Sequence, residues 1–280
     1  MQIEHAAFCH SALRQAQAVG LDGTTRVLNF ASLSFDAAMG EILTTLILGK
    51  TVCVLSEEER LNDLVSAITR LRAEWAFFTP SLLSSIQPDD VSTLKVICCG
   101  GEAMDEKLIP IWKNRVKFIN GYGPTESSVF CCSNLDPSTD SPKNIGRCFS
   151  GRGWVTRPNN INSLVPIGAV GELIIESPAL ARGYLNDETN TANAFMNSPK
   201  WIPNRRQYAG RVYRTGDLVY QEPDGSFVCI GRIGSQVKLR GQRFEITEVE
   251  RQIRQVQNIT QVAVMIYGSG SHAQLSLLFP

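Results

Sequence analysis

The sequence predicts an α/β protein: a layer on a largely parallel sheet, then an antiparallel β-subdomain, then the start of a small α+β unit. Three observations predict it. Short apolar runs rich in strand formers alternate with helix-forming runs from Arg26 to Gly123, as parallel strands joined by helical crossovers do. Beyond Glu126, short strand-like segments divided by turn residues replace that alternation. With 280 residues and 43% hydrophobic content, the chain can bury a large core as one domain or two unequal ones.

Residues 26–35 read as a strand leading into a turn. Asp36 then precedes Ala37 to Leu48, a run of helix formers. Aspartate at that position is either a helix N-cap or a carboxylate at the C-terminal end of a strand, where α/β proteins gather ligands; periodicity does not choose. Gly49-Lys50-Thr51 imitates the tail of a phosphate-binding P-loop, but Thr44 stands where the earlier glycine is required. Val52 to Leu55, a strand pattern, follows where that motif needs a helix. Leu61, Leu64, Val65, Ile68 and Leu71 recur at helical spacing, predicting an amphipathic helix over 60–73. Trp75 to Phe78 is an aromatic strand closed by Thr79-Pro80, and Leu94 to Cys99 is another ending in Gly100-Gly101. A helix over about 105–114 precedes the strand Val116 to Ile119. Residues 135–165 are rich in Pro, Asn, Ser and Gly and read as loop. Gly171 to Ile175 and Arg211 to Asp217 are strands, and Glu222-Pro223-Asp224-Gly225 marks a hairpin. Gly231 to Ser235 is a hinge, followed by strand 237–240, helix 247–256 and strand 263–267.

Composition excludes several functions. Net charge is zero, which argues against an electrostatic nucleic-acid face. No apolar run reaches membrane-spanning length, and the start Met1-Gln2-Ile3-Glu4-His5 lacks the pattern of a signal peptide. Eight cysteines then read as reduced thiols of a cytoplasmic protein. Cys98-Cys99 and Cys131-Cys132 are adjacent pairs, whose members point to opposite faces of a strand, so buried small hydrophobes are expected rather than a zinc site. Three scattered histidines leave little for a Ser-His-Asp hydrolase.

The chain is organised around Gly121-Tyr122-Gly123-Pro124-Thr125-Glu126, which follows an apolar strand. Two glycines and a proline force a tight loop. It presents an aromatic face at Tyr122, a hydroxyl at Thr125 and a hard carboxylate at Glu126 suited to Mg²⁺. Those are the parts a nucleoside triphosphate needs, although six residues alone also describe an ordinary strand-to-helix turn.

The company this loop keeps carries a family resemblance. Phe35-Asp36-Ala37, Gly121 to Glu126, Gly171-Glu172-Leu173 with Ala181-Arg182-Gly183-Tyr184, Tyr213 to Asp217, and Gly231-Arg232 with Lys238-Leu239-Arg240-Gly241 occur in order over almost the whole chain. Together they resemble the adenylation domain of a nonribosomal peptide synthetase, a member of the adenylate-forming (AMP-binding) superfamily. Residues 56–63 and 75–80 resemble fungal members. The resemblance implies the adenylate-forming fold, with residues 1–232 in the large N-terminal subdomain and 233–280 in the small C-terminal one.

It also implies a chemistry: ATP-dependent conversion of an amino acid to an aminoacyl-adenylate, then transfer to the phosphopantetheine thiol of a peptidyl carrier domain or neighbouring synthetase module, without nucleic acid or membrane. Carried over by position, Tyr122 and Gly123 with Gly101, Glu102 and Ala103 would hold adenine. Thr125 would hold phosphate and Glu126 would ligate Mg²⁺. Asp217 and Arg232 would hold the ribose. Asp36 would anchor the substrate's α-ammonium group. Ala37, Gly40, Phe77, Cys98, Gly100, Gly121, Val129 and Phe130 would line the side-chain pocket, with Phe77, Cys98 and Gly100 placed by ungapped counting. An uncharged lining favours a neutral or apolar amino acid. Glu172 and Arg182 are expected to stabilise the β-subdomain.

Three departures qualify the resemblance. The family's phosphate loop, ending in Pro-Lys-Gly, falls just upstream of Glu4-His5. Its C-terminal catalytic lysine falls beyond Pro280, and the hinge position is Gly234 in place of a charged residue. The expectation is therefore an adenylation domain truncated at both ends. Two rivals stand beside it: a non-catalytic remnant that binds nucleotide or a synthetase partner, and a carboxylic acid or acyl-CoA ligase. Asp36 argues against the latter, whose substrates lack an α-ammonium group.

Overall fold

The computed structural model describes residues 1–202, 210–234, 236–239, 242–256, 259, 261–267 and 274–278. Strands β1 (Arg26–Asn29), β2 (Thr51–Val54), β3 (Trp75–Phe78), β4 (Val96–Gly100) and β5 (Lys117–Tyr122) are parallel and lie in the order β2-β1-β3-β4-β5. Connections of a dozen or more residues are what parallel pairing requires. The order reverses between β1 and β3, so the C-terminal ends of these two strands form the crevice where open α/β sheets take ligands.

The alternation of side chains in these strands separates two cores. Leu28, Cys53, Ala76, Phe78, Ile97, Cys99 and Phe118 pack on one face with Ile68, Leu83, Leu108 and Trp112 of the crossover helices. Val27, Trp75, Val96, Cys98 and Ile119 pack on the other with Phe8, Ala12 and Ala16 of helix His5–Ala18. That first helix gave no clear sequence signal, because Ala7, Ser11, Ala12 and Ala16 bury a face of small residues with little hydrophobic contrast. Cys98 and Cys99 do point to opposite faces. Cys131 and Cys132 do not follow that expectation: both sit in a third core, with sulfurs 4.0 Å apart, because Cys131 precedes the next strand.

The antiparallel region continues the same hydrogen-bonded sheet. Strand β6 (Cys132–Asn134) pairs with β5 and with β7 (Asn144–Cys148), and the order runs on through β13 (Phe227–Arg232), β12 (Arg211–Gln221), β10 (Gly171–Glu176), β8 (Arg152–Arg157) and β9 (Asn160–Leu164). Strand β11 (Phe195–Asn197) joins β12. The turn at 222–225 closes the β12–β13 hairpin as its sequence requires. Two further hairpins follow, Gln236–Leu239 with Gln242–Glu245 and Ala263–Tyr267 with Gln274–Leu278, around helix Ile246–Ile253.

Several sequence expectations are corrected. Residues 60–73 are two helices, Glu57–Asn62 and Leu64–Leu71. Ser56 and Glu59 form a reciprocal capping box that starts the first early, and Asp63 breaks it with φ −142° and ψ 39°. Leu61 is consequently exposed, while Ile68 is buried. The helix expected over 105–114 is confined to Leu108–Trp112, where Pro110 falls in the first turn and needs no N–H partner. The stretch 135–165 contains β7, β8 and β9; their polar residues are weak strand formers, and pairing with β13 and β10 decides the conformation. Asp36 is not an N-cap: Phe35 occupies that position, and Asp36 is the first residue of helix Asp36–Met39. Gly121 and Tyr122 belong to β5, Gly121 paired on both sides and Tyr122 with β6, so the turn begins only at Gly123. Ser235, Arg240 and Gly241 of the expected hinge and last motif lie outside the described residues.

Candidate active site

The site is built where β5 ends against the β12–β13 hairpin. Asp217 and Arg232 are directly opposed in that hairpin. Arg232 Nη1 lies 2.9 Å from Asp217 Oδ1, and its Nη2 donates to the Thr215 carbonyl at 2.8 Å. The Tyr122 hydroxyl donates to Asp217 Oδ2 at 2.5 Å. Asp217 is thus a hub that joins Arg232 to Tyr122, which lies 95 positions before Asp217 in sequence. Burial first, and then the Asp217 carboxylate, hold the Tyr122 phenol well above its ordinary range, so it remains a donor. A carboxylate has about four acceptor directions, and the Tyr122 and Arg232 contacts leave capacity for a further donor such as a hydroxyl. Arg232 Nε is buried without a hydrogen-bond partner among the described residues, a polar group suited to an acceptor brought by a ligand.

Thr125, Glu126, Glu172, Tyr184, Arg214, Thr215, Gly216 and Arg232 line a cleft of about 720 Å³. Tyr122 and Asp217 stand behind that wall. Glu126 is buried, and its Oε1 accepts from the Tyr184 hydroxyl at 2.7 Å. Its backbone carbonyl accepts from Ala181 N at 2.8 Å, so the segment 181–184 grips the loop twice. Removing the hydroxyl in Tyr184→Phe is expected to cost about 1 kcal/mol of stability, readable as a shift in the denaturation midpoint. Glu172 holds Arg214 through Nη2 at 2.8 Å and also accepts from Gly216 N, a structural clamp beside the cleft. Arg182 is at the surface, paired with Glu4.

The turn after Glu126 is strained. Ser128 and Val129 have φ of 60° and 79°, and a β-branched residue rarely adopts such a value. Neighbouring segments over-determine the strain: Ser11 Oγ donates to the Ser128 carbonyl at 2.8 Å, and Ser128 Oγ donates to Ala179 O at 2.7 Å. The turn swings Val129 against Gly40, where a β-carbon would lie 3.3 Å from Val129 Cγ1. Phe130 meets Phe77 edge-on at 5.4 Å. A β-carbon at Gly121 would lie 2.6 Å from Cys98 Sγ and 3.3 Å from the Phe130 ring. Gly100 and Gly121 are register partners, and Ala37 packs with Phe77. The expected pocket residues Ala37, Gly40, Phe77, Cys98, Gly100, Gly121, Val129 and Phe130 therefore form one contiguous uncharged cluster, next to Asp36.

The Glu102 side chain has its own partner beyond β4. Its Oε2 accepts from Ser81 N at 3.1 Å and from Ser81 Oγ at 2.5 Å, so the side chain serves the loop after β3. Gly101 and Ala103 lie in the chain that follows β4. Sequence reasoning assigned no site role to Tyr184, Arg214, Ser11 or Ser128. Tyr184 sat in a quoted motif, but nothing local indicates that Ser11 or Ser128 brace the loop.

No group of three or more His, Cys, Asp and Glu side chains able to hold a metal occurs among the described residues. A single buried carboxylate fits Mg²⁺ that arrives with phosphate oxygens and water, which is how that ion is commonly held. Among the described residues no helix is long and apolar enough to cross a membrane.

Comparison with known proteins places this geometry in a family. A model of the AMP-binding enzyme family matches residues 1–185. The nonribosomal peptide synthetase nlsA of Emericella nidulans is 43% identical over 272 residues, covering 96% of this chain and 4% of that protein. N-benzoylphenylalaninol synthetase apmA of Penicillium brevicompactum is 45% identical over 274 residues, covering 97% of this chain and 12% of that protein. Among solved structures, an NRPS protein containing adenylation and PCP domains, bound to a vinylsulfonamide inhibitor, matches with TM-score 0.77 and 28% identity over 90% of this chain and 45% of that one. A four-domain nonribosomal peptide synthetase bound to AMP and glycine matches with TM-score 0.73 and 28% identity over 98% of this chain and 21% of that one. The chain thus spans a small part of the length of these curated relatives. Sharing their α/β fold and most of its length with their sequences, it belongs to the AMP-binding enzyme family, as an adenylation domain of the nonribosomal peptide synthetase kind.

Proposed function

We propose that this chain, as part of a synthetase, activates a neutral or apolar amino acid with ATP. The amino-acid carboxylate attacks the α-phosphorus, the bond to pyrophosphate breaks, and an aminoacyl-adenylate forms. A carrier-domain phosphopantetheine thiol then takes the acyl group and displaces AMP. The observation that carries the reading is the Asp217 hub, which fixes Tyr122 and also Arg232, itself part of the wall of the cleft lined by Thr125 and Glu126. Adjacent to it, an uncharged buried cluster carries one carboxylate, Asp36, at the switch point of the sheet.

In this reading Asp217 and Arg232 hold the ribose, with Arg232 Nε finding there the acceptor it lacks. Tyr122 and the segment Gly101, Glu102 and Ala103 flank adenine. Thr125 contacts phosphate, and Glu126, oriented by Tyr184, holds Mg²⁺, whose role is to neutralise phosphate charge as two anions meet. Asp36 pairs the substrate ammonium. The unit beginning after Arg232 is assigned to a second, smaller subdomain.

The test is amino-acid-dependent exchange of labelled pyrophosphate into ATP by the synthetase that carries this chain. Asp36→Ala is expected to lower exchange at least ~100-fold through loss of a charge-assisted contact, with the KM for ATP unchanged. Exchange supported by aryl or fatty acids but by no amino acid would replace this reading with an acyl ligase. Stabilisation by ATP with no exchange for any acid would leave a nucleotide-binding remnant.

A further inference from the structure

Glu41 is a buried carboxyl that the chemistry above does not use. It is 1% exposed and lies in the π-helical segment Gly40–Thr44, which continues helix Asp36–Met39. Single π-turns inside α-helices occur often at functional sites. Its side chain reaches back to the end of β1, where Oε2 accepts from Asn29 Nδ2 at 2.9 Å and from Ala31 N at 3.0 Å. Asn29 is the last residue of β1, and Ala31 lies in the connection that delivers Asp36. One carboxyl therefore ties the strand, the connection and the helix together. The residues it restrains are those facing the expected amino acid: Ala31 packs with Ala37, Ala38 and Phe77, and Gly40 meets Val129. None of these contacts reaches the Tyr122, Asp217 and Arg232 cluster.

Resting on the amino-acid reading above, we infer that Glu41 is a positioning residue for amino-acid recognition, holding Asp36, Ala37 and Gly40 in one arrangement without acting on nucleotide binding. Its environment suits that task. Burial pushes the carboxyl up to about 8, against the pull of Asn29, the Ala31 and Phe30 backbone and the Arg60 charge. At neutral pH it is a neutral acid held by hydrogen bonds, and Arg60 is the charged side chain acting on it.

Kinetics of the whole synthetase test the inference. Glu41→Ala is expected to raise the KM for the amino acid about 10-fold or more, with the KM for ATP within about twofold, since small displacements of positioning groups are costly. Glu41→Gln keeps a carbonyl acceptor for Asn29 and Ala31 and is expected to restore most of the loss. Equal rises in both KM values, a Gln variant as poor as the Ala variant, or no change in either would overturn it. A wild type silent with every amino acid removes the amino-acid reading itself, a result distinct from an active wild type indifferent to Glu41.

A stability measurement needs no turnover. The folded protein keeps the Glu41 proton up to about pH 8, whereas the unfolded chain loses it near 4.5. This group's contribution is therefore full below about 4.5 and falls as pH rises toward 8. Glutamine does not titrate, so the Tm of Glu41→Gln minus that of wild type is expected to grow from pH 5 to pH 8. A difference that stays flat would show that Glu41 is not held as a buried acid and would overturn the arrangement proposed.

Discussion

Asp217→Asn is expected to lower amino-acid-dependent exchange by about 10²-fold or more and to destabilise the protein by about 3 kcal/mol. Both effects come from one carboxylate. In the folded protein its two oxygens satisfy a largely buried guanidinium and a half-buried phenol, both drawn partly out of water. An asparagine has one carbonyl and one amide. Whichever way the amide turns, Arg232 loses its countercharge, and either Arg232 or Tyr122 faces an N–H instead of an acceptor. Removing one member of a largely buried ion pair leaves the other charge uncompensated, which is why the stability cost exceeds that of a surface pair. Tyr122→Phe, which deletes a donor and leaves the charge pair intact, should cost only about 1 kcal/mol. Denaturation midpoints for both variants, with the KM for ATP, decide the matter. If Asp217→Asn keeps the wild-type midpoint and the wild-type KM for ATP, the hub neither stabilises the fold nor serves adenosine.

Gly123→Ala is expected to abolish exchange and to cost about 3 kcal/mol, although it adds one methyl group. A β-carbon there would sit 2.0 Å from the Val129 carbonyl oxygen and 2.6 Å from Phe130 Cα. All of those atoms are backbone, so no rotamer change makes room. Relief requires the Ser128–Val129 turn to move, and that turn is held by Ser11 and Ala179. Its displacement carries Thr125 and Glu126 on one side and Val129 and Phe130 on the other, so phosphate and side-chain contacts fail together. Gly23→Ala is the matching control: nothing lies within 4 Å of its β-carbon, and its effect should stay within about 0.5 kcal/mol. A Gly123→Ala protein that melts and turns over like Gly23→Ala would show that the loop is not packed as described.

Strand–helix alternation was legible because it needs only local pattern. Trp75–Phe78 and Ala263–Tyr267 coincide with their expected strands, and the hairpin at 222–225 follows from turn chemistry. Boundaries were lost wherever a local signal outweighed periodicity or long-range pairing outweighed composition. The Ser56–Glu59 capping box started a helix before residue 60, and Asp63 divided the 60–73 run. Pairing with β13 and β10 made strands from the polar stretch 135–165. The first helix escaped because alanine and serine bury a face without hydrophobic contrast.

The amino-acid sequence by itself determined the α/β class and the ordered motifs, and the resemblance those motifs carry implied an uncharged set of candidate pocket residues with Asp36 and Glu126 as carboxylates. Residue type and spacing carry that much, because propensity, turn chemistry and motif order are properties of neighbouring residues. Only the tertiary structure decided that Asp217 joins Tyr122 to Arg232, that Tyr184 orients Glu126, that Ser11 braces a strained turn, and that Glu41 pins the connection to Asp36. Each of those is a hydrogen bond or ion pair between segments brought together by sheet order. A buried donor or acceptor takes its partner from whatever the fold places within about 3 Å, however far away it lies in the chain.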